Sequence, residues 1–169
     1  MPSKIPDLLE TLWNANSRFM TKGRRNYTHP GNTNGRLYKS EYSHVDGATC
    51  SECDSTWEIE REERESADPE IHYGIVASGD SLIKDSATRD KLWERQQFLC
   101  VGMEAAGLMN KFPCLAIRGI CDYADSHKND RWQRYAAATA ATFAVELLEH
   151  VPVKEVQAAQ KVIEVVKSI

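Results

Sequence analysis

The 169-residue sequence has no apolar run near the ~20 residues that a membrane-crossing helix requires. Its first ten residues carry Asp7 and Glu10 where a signal peptide would need an uninterrupted apolar stretch. No membrane partner is therefore expected, and the expected location is intracellular and cytoplasmic. Basic charge is not in excess: 21 Lys and Arg face 25 Asp and Glu, for a formal charge of −4, so no field of the kind that attracts nucleic acid is present. The cluster Lys22-Gly23-Arg24-Arg25 is too short to alter that and reads as a solvated loop. Five cysteines, an odd number at uneven spacing, exclude a disulfide framework. Internal repeats and low-complexity tracts are also lacking, and no glycine-rich run stands before Ile71.

What is present divides into zones. Residues 1–70 are polar and irregular, with turn-formers across His29-Pro30-Gly31-Asn32-Thr33-Asn34-Gly35 and a charge run from Glu58 to Glu65 that reads as a solvated loop. A helix is expected over Pro6 to Phe19, where Leu8, Leu9, Leu12 and Trp13 share a face, but no independent core is expected in this zone. From Ile71 the pattern becomes that of an α/β sheet. Strands are expected at Ile71–Ala77, Phe98–Val101 and Pro113–Ile120, apolar enough to be covered on both faces. Helices are expected at Asp85–Gln97, Ala105–Lys111 and Trp132–His150. The last uses Trp132, Tyr135, Ala136, Ala140, Phe143, Leu147 and Leu148 at the helical period. Cys114 and Cys121 flank the apolar Leu115-Ala116-Ile117 and are expected to be buried as small hydrophobes. Residues 153–169 read as an amphipathic terminal helix.

Ligands in open α/β folds gather beyond the carboxyl ends of strands, and Asp80, Glu104 and Asp122 each follow an expected strand. Taken singly, each has an ordinary structural account. Glu104 suits a helix N-terminus, where the dipole favours an acid, and Asp122 and Asp125 suit helix caps or turns. The sequences Gly74-Ile75-Val76-Ala77-Ser78-Gly79-Asp80, Gly102-Met103-Glu104-Ala105-Ala106-Gly107 and Arg118-Gly119-Ile120-Cys121-Asp122-Tyr123-Ala124-Asp125-Ser126-His127-Lys128 occur in that order. Together they resemble the nucleoside phosphorylase/nucleosidase superfamily, which includes purine nucleoside phosphorylases and methylthioadenosine/S-adenosylhomocysteine nucleosidases. The closest likeness is to the fungal versions that form the N-terminal domain of NACHT-type or ankyrin-repeat signalling proteins. It runs from about Gly31, through Leu37-Tyr38 and Tyr42-Ser43-His44, to Pro152.

The resemblance implies cleavage of a purine nucleoside N-glycosidic bond, with phosphate or water as the acceptor. It makes Met103 and Glu104 the sugar-binding pair, the carboxylate accepting charge-assisted hydrogen bonds from the ribose hydroxyls. It makes Asp122 the general acid at purine N7, a role that suits a carboxyl with a raised pKa. Leu82 and Ile83 would border the purine edge; the family often has an aromatic residue where Leu82 stands. The family domain opens with a further α/β half that carries a glycine-rich segment for phosphate or water. The expected fold is accordingly the C-terminal portion of a three-layer α/β/α arrangement with an incomplete sheet, organised as a divergent segment 1–30, a domain 31–152 and a terminal helix 153–169. Two functions follow: an N-glycosidic enzyme, or a catalytically inactive remnant that binds nucleoside. Homo-oligomers are common in the family.

No cofactor is expected. Cys50-Ser51-Glu52-Cys53 with His44 upstream offers three zinc ligands, but a single C-x-x-C without a second pair reads better as a loop held without metal. His127 and Lys128 read either as anion contacts or as solvated loop residues.

Overall fold

Helix α1 (Ile5–Ala15) is the first element of a computed structural model that describes residues 3–17, 20, 26–62, 64–112 and 114–152. Proline near its first position and Asp7 in its first turn both suit a helix start, since proline has no N–H to leave unpaired there and the acid meets the positive end of the dipole. Ile5 and Leu9, one helical turn apart, are the two most deeply buried large side chains, at 1% and 2% exposure. They pack on Tyr135 and Ala138 of the long helix α4 (Gln133–Glu149), with Leu12, Trp13, Tyr27, Ile71, Trp132 and Phe143 around them. Full burial of an Ile or Leu contributes about 1.5–3 kcal/mol each. The core of this region thus lies between the first and last described helices. Within residues 1–70, Ile5, Leu9, Leu12, Trp13 and Tyr27 lend their side chains to the cluster on α4, while the buried Tyr38 and Cys53 lie outside it.

The helix pair is also pinned by polar contacts at one end. Glu146 accepts from Ser3 Oγ at 2.9 Å and from the Lys4 N–H at 3.0 Å, and Lys4 Nζ lies 2.7 Å from Glu149. On α4 the buried positions are Tyr135, Ala136, Ala138 and Thr142. Leu148, expected on the inner face, is 63% exposed. The segment before α1 meets the last turn of α4 only through these polar contacts, and the buried positions of α4 end at Thr142.

Strands β1 (Val76–Ser78) and β2 (Cys100–Gly102) pair in parallel, Val76 opposite Cys100, Ala77 opposite Val101 and Ser78 opposite Gly102. Helix α2 (Ser86–Gln96) connects them, as parallel pairing requires. The N-cap of α2 is Asp85, whose carboxylate accepts from the Thr88 N–H at 2.8 Å. Gln97, left-handed at φ 51°, ends the helix and turns the chain into Phe98, which is buried. A short helix α3 (Ala105–Met109) follows β2, and the Ala106 N–H bonds Ser78 Oγ at 3.0 Å, tying its first turn to the end of β1. The fold is therefore mixed helix and small parallel sheet, as an α/β reading requires.

Three expectations are corrected. Both strands are shorter than their apolar runs, and Tyr73, Ile75 and Leu99 stand largely exposed, so the strands are not covered on both faces. The third strand was expected at 113–120, and residues 114–120 make no ladder among the described residues. Cavities flank the segment where a paired strand would lie. Cys114 is exposed and Cys121 half-buried for the same reason. Gly119, within this segment, passes against α4: a Cβ there would be driven into the backbone of Ala136. The terminal helix expected at 153–169, the cluster at 22–25 and the end of the first helix at Phe19 lie outside the described residues.

Candidate functional site

Glu104 occupies the N-cap position of α3, immediately beyond β2. Its Oε2 accepts from the Met103 N–H at 3.1 Å and faces Arg118 Nη1 at 3.4 Å. The Met103 amide, foremost, and Arg118 hold the carboxyl below its usual range, although 78% of the side chain remains exposed. Gly102 permits this approach: a Cβ there would lie 2.9 Å from Arg118 Nη1. Met103 and Leu82 are open to solvent at 44% and 54%, and Ile83 is half-buried.

Asp122 is set differently. It starts the turn that leads to Lys128, with its side chain only 14% exposed. Burial, the largest single influence, pushes its pKa up. Lys128 Nζ at 2.6 Å, the Ala124 N–H at 3.0 Å and the Cys121 thiol at 3.3 Å together outweigh it and leave the carboxyl below its ordinary value. The raised pKa expected of a proton donor is therefore not found in the free protein. Cys121 carries the complementary effect: burial first, then the Asp122 charge, pushes its thiol up to about 11.

Two cavities flank the segment that joins these acids. One, of about 370 Å³, is lined by Asp122, Cys121, Arg89, Phe98, Cys100 and Arg118 among others. The other, of about 300 Å³, is lined by Glu104, Ser78, Gly102, Leu108, Cys114 and Arg118 among others. Glu104 and Asp122 thus stand in separate cavities with Arg118 as their common wall. Met103, Leu82 and Ile83 line neither.

The turn carrying Asp122 is held from outside by residues 36–58. The Leu37–Lys39 stretch pairs with Trp57–Ile59, Lys39 N–H to the Trp57 carbonyl at 3.0 Å and Ile59 N–H to the Leu37 carbonyl at 2.8 Å. Tyr38, 2% exposed, stacks on His127 at 4.1 Å between ring centres. His127 is itself buried, so the solvated reading of that residue is corrected; Lys128 is turned to Asp122. Burial, ahead of the nearby His44 and Arg36 charges and against the pull of Asp125, lowers the His127 pKa and favours the neutral ring. Arg89 completes the frame by donating to the Tyr123 carbonyl at 2.8 Å.

Two of these groups, Arg118 and Arg89, were not singled out from sequence, and the pairing of Lys128 with Asp122 was not foreseen. Arg118 had a visible signal, a lone cation inside the apolar run Leu115 to Ile120. The Lys128 signal was its spacing of six residues from Asp122. Arg89, on a polar helix face, had none.

With the geometry in place, comparison with known proteins assigns the lineage. The sequence profile described as the phosphorylase superfamily matches residues 15–159. The chain belongs to the phosphorylase superfamily. A nucleotide-binding leucine-rich repeat (NLR)-like protein of Hyaloscypha variabilis is 54% identical over 90 residues, which is 53% of this chain and 9% of that protein. The ATP nucleosidase Cap17 of Escherichia coli is 35% identical over 86 residues, 47% of this chain and 17% of that protein. The aligned part is thus a small fraction of either relative's length. No solved structure matches the chain. Among the described residues, no helix of this superfamily member is long and apolar enough to cross a membrane.

Proposed function

We propose that this phosphorylase-superfamily chain binds a purine nucleoside and acts in cleaving its N-glycosidic bond. The domain at 31–152 would form part of a three-layer α/β/α arrangement. Glu104 receives the ribose hydroxyls with Met103 against the sugar, Leu82 and Ile83 border the purine, and Asp122 delivers a proton to the base. In the reaction the C1′–N9 bond breaks with its electron pair departing on the purine, a proton is added at N7, and water or phosphate adds to C1′. Neutralising the departing base removes a large part of the barrier.

The observation that carries this reading is the half-buried Asp122–Lys128 pair, 2.6 Å apart in the wall of the larger cavity. The carboxylate is ionised in the free protein, held so by Lys128 and two neighbouring donors. A purine seated over it would exclude water and turn Lys128 away. Burial, already the strongest influence, would then be opposed only by the Ala124 N–H and the Cys121 thiol, and the pKa would rise toward that of a proton donor. An alternative route passes the Lys128 proton through Asp122 to the base. In both, the proton reaches the base from a half-buried pair in the cavity wall.

The name of the bacterial relative makes ATP the first substrate to try, beside adenosine, inosine and methylthioadenosine. Chromatography should detect free base from at least one, with or without phosphate. Asp122→Asn should lower kcat by ~10²–10⁴, the usual worth of a positioned acid. Glu104→Ala should act mainly on KM. No base release from any of the four, in either buffer, would remove the enzymatic reading for this chain.

A second reading, a binding module without turnover, is favoured by one observation: Glu104 and Asp122 line different cavities. It predicts heat of nucleoside binding in calorimetry, lost in Glu104→Ala, and no free base.

A further inference from the structure

We propose that His44, Cys50, Cys53 and His127 form a structural zinc site that clamps the 36–58 segment onto the turn carrying Asp122. The ligand atoms of His44, Cys50 and Cys53 all lie within 4.8 Å of one another. With Zn–S near 2.3 Å and Zn–N near 2.0–2.1 Å, tetrahedral ligands sit about 3.3–3.8 Å apart, so drawing these three onto a metal asks for movements of about 1 Å, and His127, outside that group of three, has to move in to join them. The C-x-x-C spacing works because Cys50–Glu52 is a single 3-10 turn, closed by the Cys53 N–H on the Cys50 carbonyl at 3.3 Å. Arg36 also donates to that carbonyl, at 2.6 Å, and fixes the turn to the Glu58 side of the segment.

His127 supplies the second, independent observation. It is 6% exposed, and its Nε2 is buried with no hydrogen-bond partner. An unpaired ring nitrogen at that depth is a cost unless something coordinates it. Its ring centre lies 5.5 Å from that of His44, at 70°. On the other side of the ring, Nδ1 faces Asp125 Oδ2 at 3.8 Å, and Asp125 is itself buried. A carboxylate behind one ring nitrogen is the arrangement that orients a histidine for metal at the other. Tyr38 stacked on the ring face removes its remaining rotational freedom.

Two cysteines and two histidines make a closed set with no open position, which is the pattern of structural zinc and not of catalytic zinc. The metal would join two parts of the chain that are otherwise linked here by few hydrogen bonds, among them His44 N–H to Ser126 Oγ at 3.0 Å. This reading does not depend on turnover, so its failure and that of the proposed function are separable.

The test uses the 169-residue chain purified under reducing conditions without added chelator. Zinc content should be one per chain, and cobalt substitution should give thiolate charge-transfer bands with tetrahedral d–d intensity. Zinc should protect Cys50 and Cys53, but not the exposed Cys114, from alkylation read by mass spectrometry, a measurement that needs no variant. Cys50→Ser and Cys53→Ser should each lower zinc affinity ~100-fold or more. Asp125→Asn, as a positioning change, should lower it ~10–100-fold with the thiolate bands kept. His127→Gln should weaken binding and alter the d–d bands; unchanged bands would overturn its place as fourth ligand. A parent chain without zinc, with a Cys50–Cys53 disulfide, or with cobalt bands lacking thiolate character would overturn the site.

Discussion

Leu9→Ala tests whether α1 belongs to the same packed unit as α4. Leu9 is 2% exposed and sits in one cluster with Ile5, Tyr135 and Ala138. Truncating such a leucine removes its transfer free energy and leaves a cavity, a combination that costs about 2–5 kcal/mol depending on how far the site can collapse. Collapse is restricted here. The start of α1 is tied to Glu146 and Glu149, and the partners on α4 are a rigid ring and a methyl group on a helix backbone. A loss of about 3 kcal/mol is expected. At about 2–4 °C per kcal/mol for a chain of this size, the melting midpoint should fall by roughly 6–12 °C. Urea unfolding followed by far-ultraviolet circular dichroism and by tryptophan fluorescence measures it, Trp13 lying in the same cluster. Glu10→Ala, at an exposed position of the same helix, is the control and should stay within about 0.5 kcal/mol. If the two variants unfold at the same urea concentration, α1 is not docked on α4.

Gly119→Ala should destabilise by about 1–3 kcal/mol or more in urea unfolding, because the added methyl meets the Ala136 backbone and not a side chain that can swing aside. Gly79→Ala, with open space at that position, should change little, and equal effects would contradict the close pass against α4. Asp122 has a depressed pKa in the folded chain, so its contribution to stability is present above the unfolded value of about 3.9 and is lost as pH falls through the folded value. Asp122→Asn should therefore flatten the acid limb of stability below about pH 4, measured by urea midpoints across that range, while an unchanged limb would show that Lys128 does not hold the carboxyl. Tyr38→Phe should be neutral or slightly stabilising, since the buried hydroxyl has no hydrogen-bond partner and its desolvation is uncompensated. Tyr38→Leu should instead lose the stack on His127 and destabilise, and equal midpoints for the two variants would argue against that stack.

The legible parts of this chain were those governed by local signals. Helix α2 was placed within a residue because Asp85 is an N-cap that its own sequence announces, and α4 because its apolar period runs for several turns. The parallel pair was legible as two apolar runs separated by a helix. Strand lengths were not, because a ladder ends where its partner ends, and apolar content says nothing about the partner. The same limit explains residues 114–120: their composition is that of a strand, and the cavities beside them show that composition alone does not supply hydrogen bonds. Glu104 and Asp122 were visible through their motifs. The separation of their cavities was not, since it depends on the Arg118 side chain lying between them.

The ionisation of Asp122 shows why residue type and position do not fix a chemical role. Burial alone would raise the pKa of this aspartate, the direction expected of the general acid that the resemblance implies. Lys128, the Ala124 amide and the Cys121 thiol reverse the sign, and all three come from the one turn of chain between Cys121 and Lys128. That turn owes its shape to residues from the zone read as irregular: Tyr38 packs on His127, His44 bonds Ser126, and Arg61 bonds the Tyr123 hydroxyl at 2.7 Å. Tyr38 and His44, more than sixty residues away in sequence, therefore touch the turn of Asp122 and not its carboxylate. The groups that set the charge of Asp122 thus lie within its own turn, and residues 38, 44 and 61 brace that turn from outside.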